Sequence, residues 1–151
     1  MAKVDKIDQK ILSELSKDSS ISIPKLAEKI NANSSVVYSR IKRLLKNKLI
    51  ERFTIKVDDK RLGYGVKSLT GINMDSKQRD NVIQELFKIP GVREVSEVTG
   101  RFDILVTMYA KSLNDMYSVV SDDIGKIDGI IGSESFIEMK TRTKQMPYML
   151  E

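Results

Sequence analysis

Two glycine stops, 38 residues apart, constrain this chain more than any other feature. Ile89-Pro-Gly91-Val92 and Ile127-Asp-Gly129-Ile130 each close a helical pattern and open an apolar, strand-like one. Before the first stop, Lys67–Met74 reads as a strand. Asp75 or Ser76 then caps a helix whose buried side is Val82, Ile83, Leu86 and Phe87. Between the stops come a strand at 92–99, the turn Gly100-Arg101 and a nearly continuous apolar strand, Phe102–Ala110. Ser112 opens a second helix with Leu113, Met116, Tyr117, Val120 and Ile124 inward, and Ile131–Lys140 is a fourth strand. The order β-α-β-β-α-β is that of the ferredoxin-like sandwich, with two helices on one face of an antiparallel sheet. The other face is left open in a single copy. Apolar residues on both sides of Ile104–Tyr109 therefore predict a dimer formed through the sheet.

The first 57 residues follow a different rule. Ile7, Ile11, Leu12 and Leu15 form the apolar stripe of a first helix, and Ile23–Ile30 is a short second one with Pro24 at its start. Asn31 can take a left-handed conformation, and Asn33 can cap the helix that follows. That helix, Asn33–Lys46, buries Val37, Ile41, Leu44 and Leu45. It turns Ser35, Ser39, Lys42, Arg43 and Lys46 outward, a face without an acid. A short helix, a tight turn and a second helix with a cationic face make a helix-turn-helix. Beyond it, Phe53, Ile55 and Val57 alternate with polar residues and read as a strand leading into a hinge at 58–66. The predicted fold is thus α+β. A three-helix, winged-helix-like domain at 1–57 is joined by a hinge strand to a ferredoxin-like domain at 67–151.

Charge separates the same two parts. Residues 1–65 carry 15 Lys/Arg against 8 Asp/Glu, while residues 66–151 carry 11 against 13. The basic part is the one suited to a polyanion. On its reading face, Asn33, Ser35, Tyr38 and Ser39 lie near the helix N-terminus, where base edges are met in this motif. Lys42, Arg43 and Lys46 lie further along and suit phosphates, which set affinity and salt dependence. Arg40 sits at the edge of the apolar stripe. There an ion pair with Glu28, or with another acid of the module, competes with a role on DNA.

The absence of Cys and His from the sequence removes thiolate and imidazole metal sites and His-based catalysis. No pair of acids stands at a catalytic spacing, so neither an enzyme nor a metal cofactor is expected. No apolar run approaches the about 20 residues needed to span a bilayer, and the opening Met-Ala-Lys-Val-Asp-Lys lacks the apolar core of a signal peptide. The expected location is cytoplasmic, with no membrane partner.

Several motifs, in order, resemble the leucine-responsive regulatory protein / AsnC family, the feast–famine transcription regulators. They are Val4-Asp5-x-x-Asp8-x-x-Ile11-Leu12, Arg40-Ile-Lys-Arg-Leu44 followed by Leu49-Ile50, Asp58–Gly63, Gly100-Arg-Phe-Asp103, and Gly129-Ile-x-x-Ser133-x-Ser135. Asn31 and Asn33 stand where the family commonly has Gly and Ser, and Ser133 and Ser135 where it often has Thr. The resemblance implies a DNA-binding regulator, dimeric and assembling into octamers, that senses a free amino acid between subunits.

Such an effector needs donors for its carboxylate and an acceptor for its ammonium. Gly100, Arg101 and Phe102 offer turn backbone, Asp103 a carboxylate, and Ser133 and Ser135 hydroxyls. Read without the resemblance, Gly100 is more simply a hairpin turn residue and Asp103 a strand-end charge. The polar setting of Arg101 and the two serines favours a polar effector such as glutamine. The competing function is an amino-acid-sensing regulatory domain acting on an enzyme rather than on DNA. It leaves the basic module unexplained. A sheet-face RNA binder would need clustered stacking aromatics, which are lacking.

Overall fold

The first turn of the chain is held by a local cap. Asp5 caps the helix α1 (Lys6–Lys17): its carboxylate accepts from the Ile7 and Asp8 N–H groups, while Asp8 accepts in return from the Asp5 N–H. In this computed structural model, which describes residues 4–144 and Tyr148, α1 is followed by α2 (Ile23–Ile30) and α3 (Ser34–Lys46). Asn31 adopts φ 54°, the left-handed conformation expected of it, and so reverses the chain in a few residues. Asn33 occupies the cap position of α3, but its side chain makes no capping bond, which corrects the expectation. Ile11, Leu26, Ala27, Ile30, Val37 and Leu44 form the buried core of these three helices.

The predicted strand at Phe53–Val57 does not pair. Among the described residues nothing joins it in a ladder, and Phe53, Ile55 and Val57 stand exposed. Alternation prepares a strand, but only a neighbouring strand can take up its N–H and C=O groups. A turn follows, in which Asp58 O accepts from the Leu62 N–H and Gly63 takes φ 92°.

The second part contains β1 (Val66–Met74), α4 (Arg79–Lys88), β2 (Val92–Glu97), β3 (Ile104–Ala110), α5 (Leu113–Ser118) and β4 (Ile130–Ile137). The strands form one antiparallel sheet in the order β2-β3-β1-β4, the ferredoxin-like arrangement. Val66, Ser68, Thr70 and Ile72 of β1 share one face with Ile104, Val106 and Met108 of β3. The core lies between that face and Val82, Leu86, Met116 and Ile124. α5 runs on through a π-helical turn, Val119–Asp123. Phe87, Leu113 and Tyr117, expected inward, are exposed. The stripes of these helices are narrower than the periodicity suggested: Val82, Leu86, Met116 and Ile124 are buried, while Ile83 and Val120, also expected inward, pack against the core only partly buried.

Contacts divide the chain into two compact units, Met1–Lys56 with Arg142–Glu151, and Val57–Thr141. Of the residues after Thr141, the described ones, 142–144 and Tyr148, group with the helical unit. Tyr148 lines a groove there with Leu12, Leu15, Leu49 and Phe53.

Candidate nucleic-acid interface and effector site

α3 presents the face read from the sequence. Ser35, Tyr38, Ser39, Lys42, Arg43 and Lys46 are all exposed along it, as is Asn33 at its start. The side chains differ in how firmly they are held. The Ser39 hydroxyl donates to Val36 O at 2.9 Å, leaving its lone pairs free to accept from a base. The Lys42 ammonium lies 4.8 Å from the centre of the Tyr38 ring, a cation–π contact. Lys46 enters no ion pair among the described residues.

Arg43 is tied. Its Nη2 donates to Asp8 Oδ2 at 2.5 Å, although 44% of its side chain stays exposed. Arg40 donates to Asp5 and, at 3.2 Å, to Asp8 Oδ1, so its ion-pair partners are these two acids of α1 and not Glu28. The Asp8 N–H and the Arg40 guanidinium hold the Asp5 carboxyl well below the usual carboxylate range, at about 2. Asp5 in turn raises the affinity of Arg40 for its proton.

The six effector candidates do not meet on one face. Gly100 takes φ +136° in the β2–β3 turn, with open space where a side chain would be. Asp103 Oδ2 accepts from the Met74 N–H at 3.0 Å, and the Asp103 backbone bonds to Ile72 and Val98, so this residue locks the turn to β1. Its Oδ1 has no partner among the described residues. Phe102 lies over Gly71, where an added Cβ would come within 2.4 Å of the ring, and meets Phe136 edge to face at 6.5 Å. The Arg101 guanidinium stacks 5.3 Å from the Phe102 ring and pairs with Glu134 at 2.9 Å.

This cluster lies on the open side of the sheet, because Glu134 and Phe136 pair with Gly71 and Leu69 of β1. Ser133 and Ser135 pair with Ile72 and Thr70 and so point to the helix side. There the Ser135 hydroxyl is engaged by Thr70 at 2.8 Å.

A profile of the Lrp/AsnC ligand binding domain matches residues 68–148, and a winged helix-turn-helix DNA-binding profile matches residues 4–51. The chain belongs to the Lrp/AsnC family. The HTH-type transcriptional regulator LrpA of Pyrococcus horikoshii is 32% identical over 127 residues, spanning 84% of this chain and 90% of that one. Two solved structures share the fold. A transcriptional regulator of Neisseria meningitidis in complex with L-Met gives a TM-score of 0.90 at 20% identity, covering 96% and 97% of the two chains. AsnC of E. coli gives 0.88 at 23%, covering 97% and 99%. The family is one of transcriptional regulators, not of enzymes. Among the described residues no group of acids is placed to hold a metal ion, and no helix is long and apolar enough to cross a membrane.

Sequence reasoning missed four residues of these sites. Asp8 carried a usable signal: it falls three and four residues before Ile11 and Leu12, on the apolar stripe of α1, where a charge needs a partner. Gly71, Glu134 and Phe136 carried none, because only the β1–β4 register brings them to the Arg101–Phe102 turn.

Proposed function

We propose that this protein regulates transcription by binding duplex DNA through α3, and that a free amino acid bound by its sandwich unit alters that binding or the protein's assembly. The observation that carries the reading is the exposed, acid-free face of α3, borne by a chain whose other unit is of the family's ligand-binding type. Asn33, Ser35, Tyr38 and Ser39 are assigned to base edges, and Lys42, Arg43 and Lys46 to the phosphate backbone. The relatives come from Pyrococcus and Bacillus, whose DNA lies in the cytoplasm, and the same location is proposed for this protein.

For the effector, the turn Gly100-Arg101-Phe102-Asp103 is the centre of the site. The backbone N–H groups of Gly100, Arg101 and Phe102 and the free Oδ1 of Asp103 suit the two ends of an amino acid. Ser133 and Ser135 stand on the other side of β4, so any part they play is from a separate direction. The polar effector, such as glutamine, is read from Arg101, Ser133 and Ser135; of these Arg101 stays at the turn, paired there with Glu134. The methionine bound by the Neisseria protein makes an apolar side chain the comparison to run beside it.

The open sheet face supports a homodimer, and octamers built from it, since Leu69 and Phe136 are 42% and 48% exposed there. Fluorescence anisotropy of labelled duplex DNA, with each amino acid added in turn and light scattering in parallel, tests the whole reading. Salt-dependent binding that one amino acid shifts is expected. Binding that ignores salt would overturn the DNA assignment, and indifference to all twenty amino acids the effector assignment.

A further inference from the structure

We propose that Asp8 is a positioning residue for DNA recognition. Its buried carboxylate fixes the plane of the Arg43 guanidinium, so that Asp8, without touching DNA, governs discrimination between sequences rather than overall affinity. The proposal rests on the reading of α3 as the DNA-binding helix.

The Asp8 side chain is fully buried, and both its oxygens are used. Oδ1 accepts from Arg40 at 3.2 Å. Oδ2 accepts from Arg43 at 2.5 Å and from the Asp5 N–H at 3.1 Å. Arg40 and Arg43 are three residues apart, so one carboxylate of α1 grips two successive turns along one edge of α3. The two arginines then part company. Arg40 has only 23% of its side chain exposed and is held by Asp5 as well, which makes it internal scaffolding. Arg43 is anchored at one end only, by Nη2 on Asp8 Oδ2, and is 44% exposed. A guanidinium has five donors in a rigid plane, and those not used on Asp8 are presented outward in a direction the protein has chosen.

A fixed plane is what bidentate recognition of a guanine edge requires, a base contact added to the phosphate role given to Arg43 above. Lys42 and Lys46 offer no such plane. They are rotatable point charges, and their attraction to the backbone is indifferent to sequence.

The cost of the arrangement supports a purpose beyond packing. A buried carboxylate is expensive to desolvate, and an apolar residue at position 8 would join Ile11 and Leu12 in the stripe of α1. The acid also cancels one positive charge close to the DNA-facing surface, which lowers general affinity. Charge and positioning therefore predict opposite outcomes. Removing the negative charge should tighten binding to every duplex if charge alone matters. It should erode preference among duplexes if Asp8 aims Arg43.

The experiment uses the full-length protein. Duplexes are enriched from a random pool with the wild type, and the best binder is compared with a shuffled duplex of equal composition at two salt concentrations. Asp8→Asn, Asp8→Glu, Arg43→Lys and the double variant Asp8→Asn/Arg43→Lys are measured, each with a thermal melt.

Asp8→Asn and Arg43→Lys should each reduce the selected-to-shuffled affinity ratio about tenfold, within the range of one good base contact. Arg43→Lys should keep the salt slope of the wild type. The double variant should discriminate no worse than the poorer single one, because both changes remove one interaction. A wild-type ratio in Arg43→Lys overturns the proposal, as do losses that multiply in the double variant. If Asp8→Asn does not melt cooperatively, Asp8→Glu decides. It keeps the charge but displaces the carboxylate by about one methylene, and an unchanged ratio in it would count equally against the role of Asp8. A wild type that enriches no duplex would instead remove the DNA-binding reading, and this inference with it.

Discussion

The two units solve the placement of polar groups in opposite ways. The helical unit has a small core of six buried apolar side chains among the described residues, yet it buries a carboxylate, Asp8, beneath the edge of its reading helix. The sandwich unit has eleven such apolar side chains, and its buried polar residues are neutral hydroxyls, Ser68 and Thr70, satisfied by Met116 Sδ and Ser135. The smaller core therefore carries the more costly group. Each unit keeps its function in a different place. The helical unit builds a cationic surface whose members are held to different degrees. The sandwich builds a neutral scaffold and leaves an apolar sheet face and an aromatic turn exposed at its side.

The comparison breaks most visibly at the cores. Leu26→Ala in the helical unit and Leu86→Ala in the sandwich should each cost about 2–5 kcal/mol, through lost burial and the cavity left behind. The same loss is a larger share of the smaller core, so Leu26→Ala should abolish DNA binding while amino-acid titration of the sandwich survives. Leu86→Ala should weaken the titration first. Calorimetric melts with both binding assays check this, and a single shared transition in every variant would show that the two units do not melt apart.

Next in size is the effector turn. Asp103→Asn keeps an acceptor for the Met74 N–H but removes the charge from the site. If Asp103 receives an ammonium group, effector affinity should fall by about ten- to a hundredfold, or 1.5–3 kcal/mol. DNA binding without effector should stay unchanged. Isothermal titration against a panel including glutamine, methionine and leucine measures it, and equal affinity in both proteins would leave Asp103 a purely structural lock.

A smaller effect distinguishes the cations of α3. Neutralising Lys42 or Lys46 should lower the salt slope of DNA binding by about one counterion, on every sequence alike. Anisotropy titrations across a salt series give the slope directly, and slopes unaffected by either change would move the phosphate contacts elsewhere.

The smallest expected effect is set by pH. The Asp5 carboxyl titrates at about 2 in the folded protein, below its ordinary value of 3.8. Its contribution to stability is therefore complete above about pH 4 and is lost as pH falls through about 2. Asp5→Asn should flatten the melting temperature against pH in that window. Identical acid limbs for variant and wild type would show that the Asp5–Arg40 pair adds nothing measurable at this half-exposed position.

Sequence patterning set down most of the architecture. Local chemistry sufficed for the left-handed Asn31, the Pro24 helix start, the glycine stop at Gly129 and the order of strands and helices, because each depends on a residue's own conformational preferences. It also sufficed to put Lys42, Arg43 and Lys46 on one exposed face, since helical periodicity alone decides that.

What it could not decide was pairing. Phe53–Val57 had the alternation of a strand and found no neighbour among the described residues. Arg43 read as a free phosphate contact, but a carboxylate 35 positions earlier holds it, and two helices must pack before those groups can meet. Ser133 and Ser135 read as companions of the Gly100–Asp103 turn, whereas the β1–β4 register sends them to the opposite face and brings Glu134 and Phe136 instead. A one-residue difference in register exchanges the faces of a strand. Periodicity fixes which residues share a face of their own element, and only packing between elements fixes what that face meets.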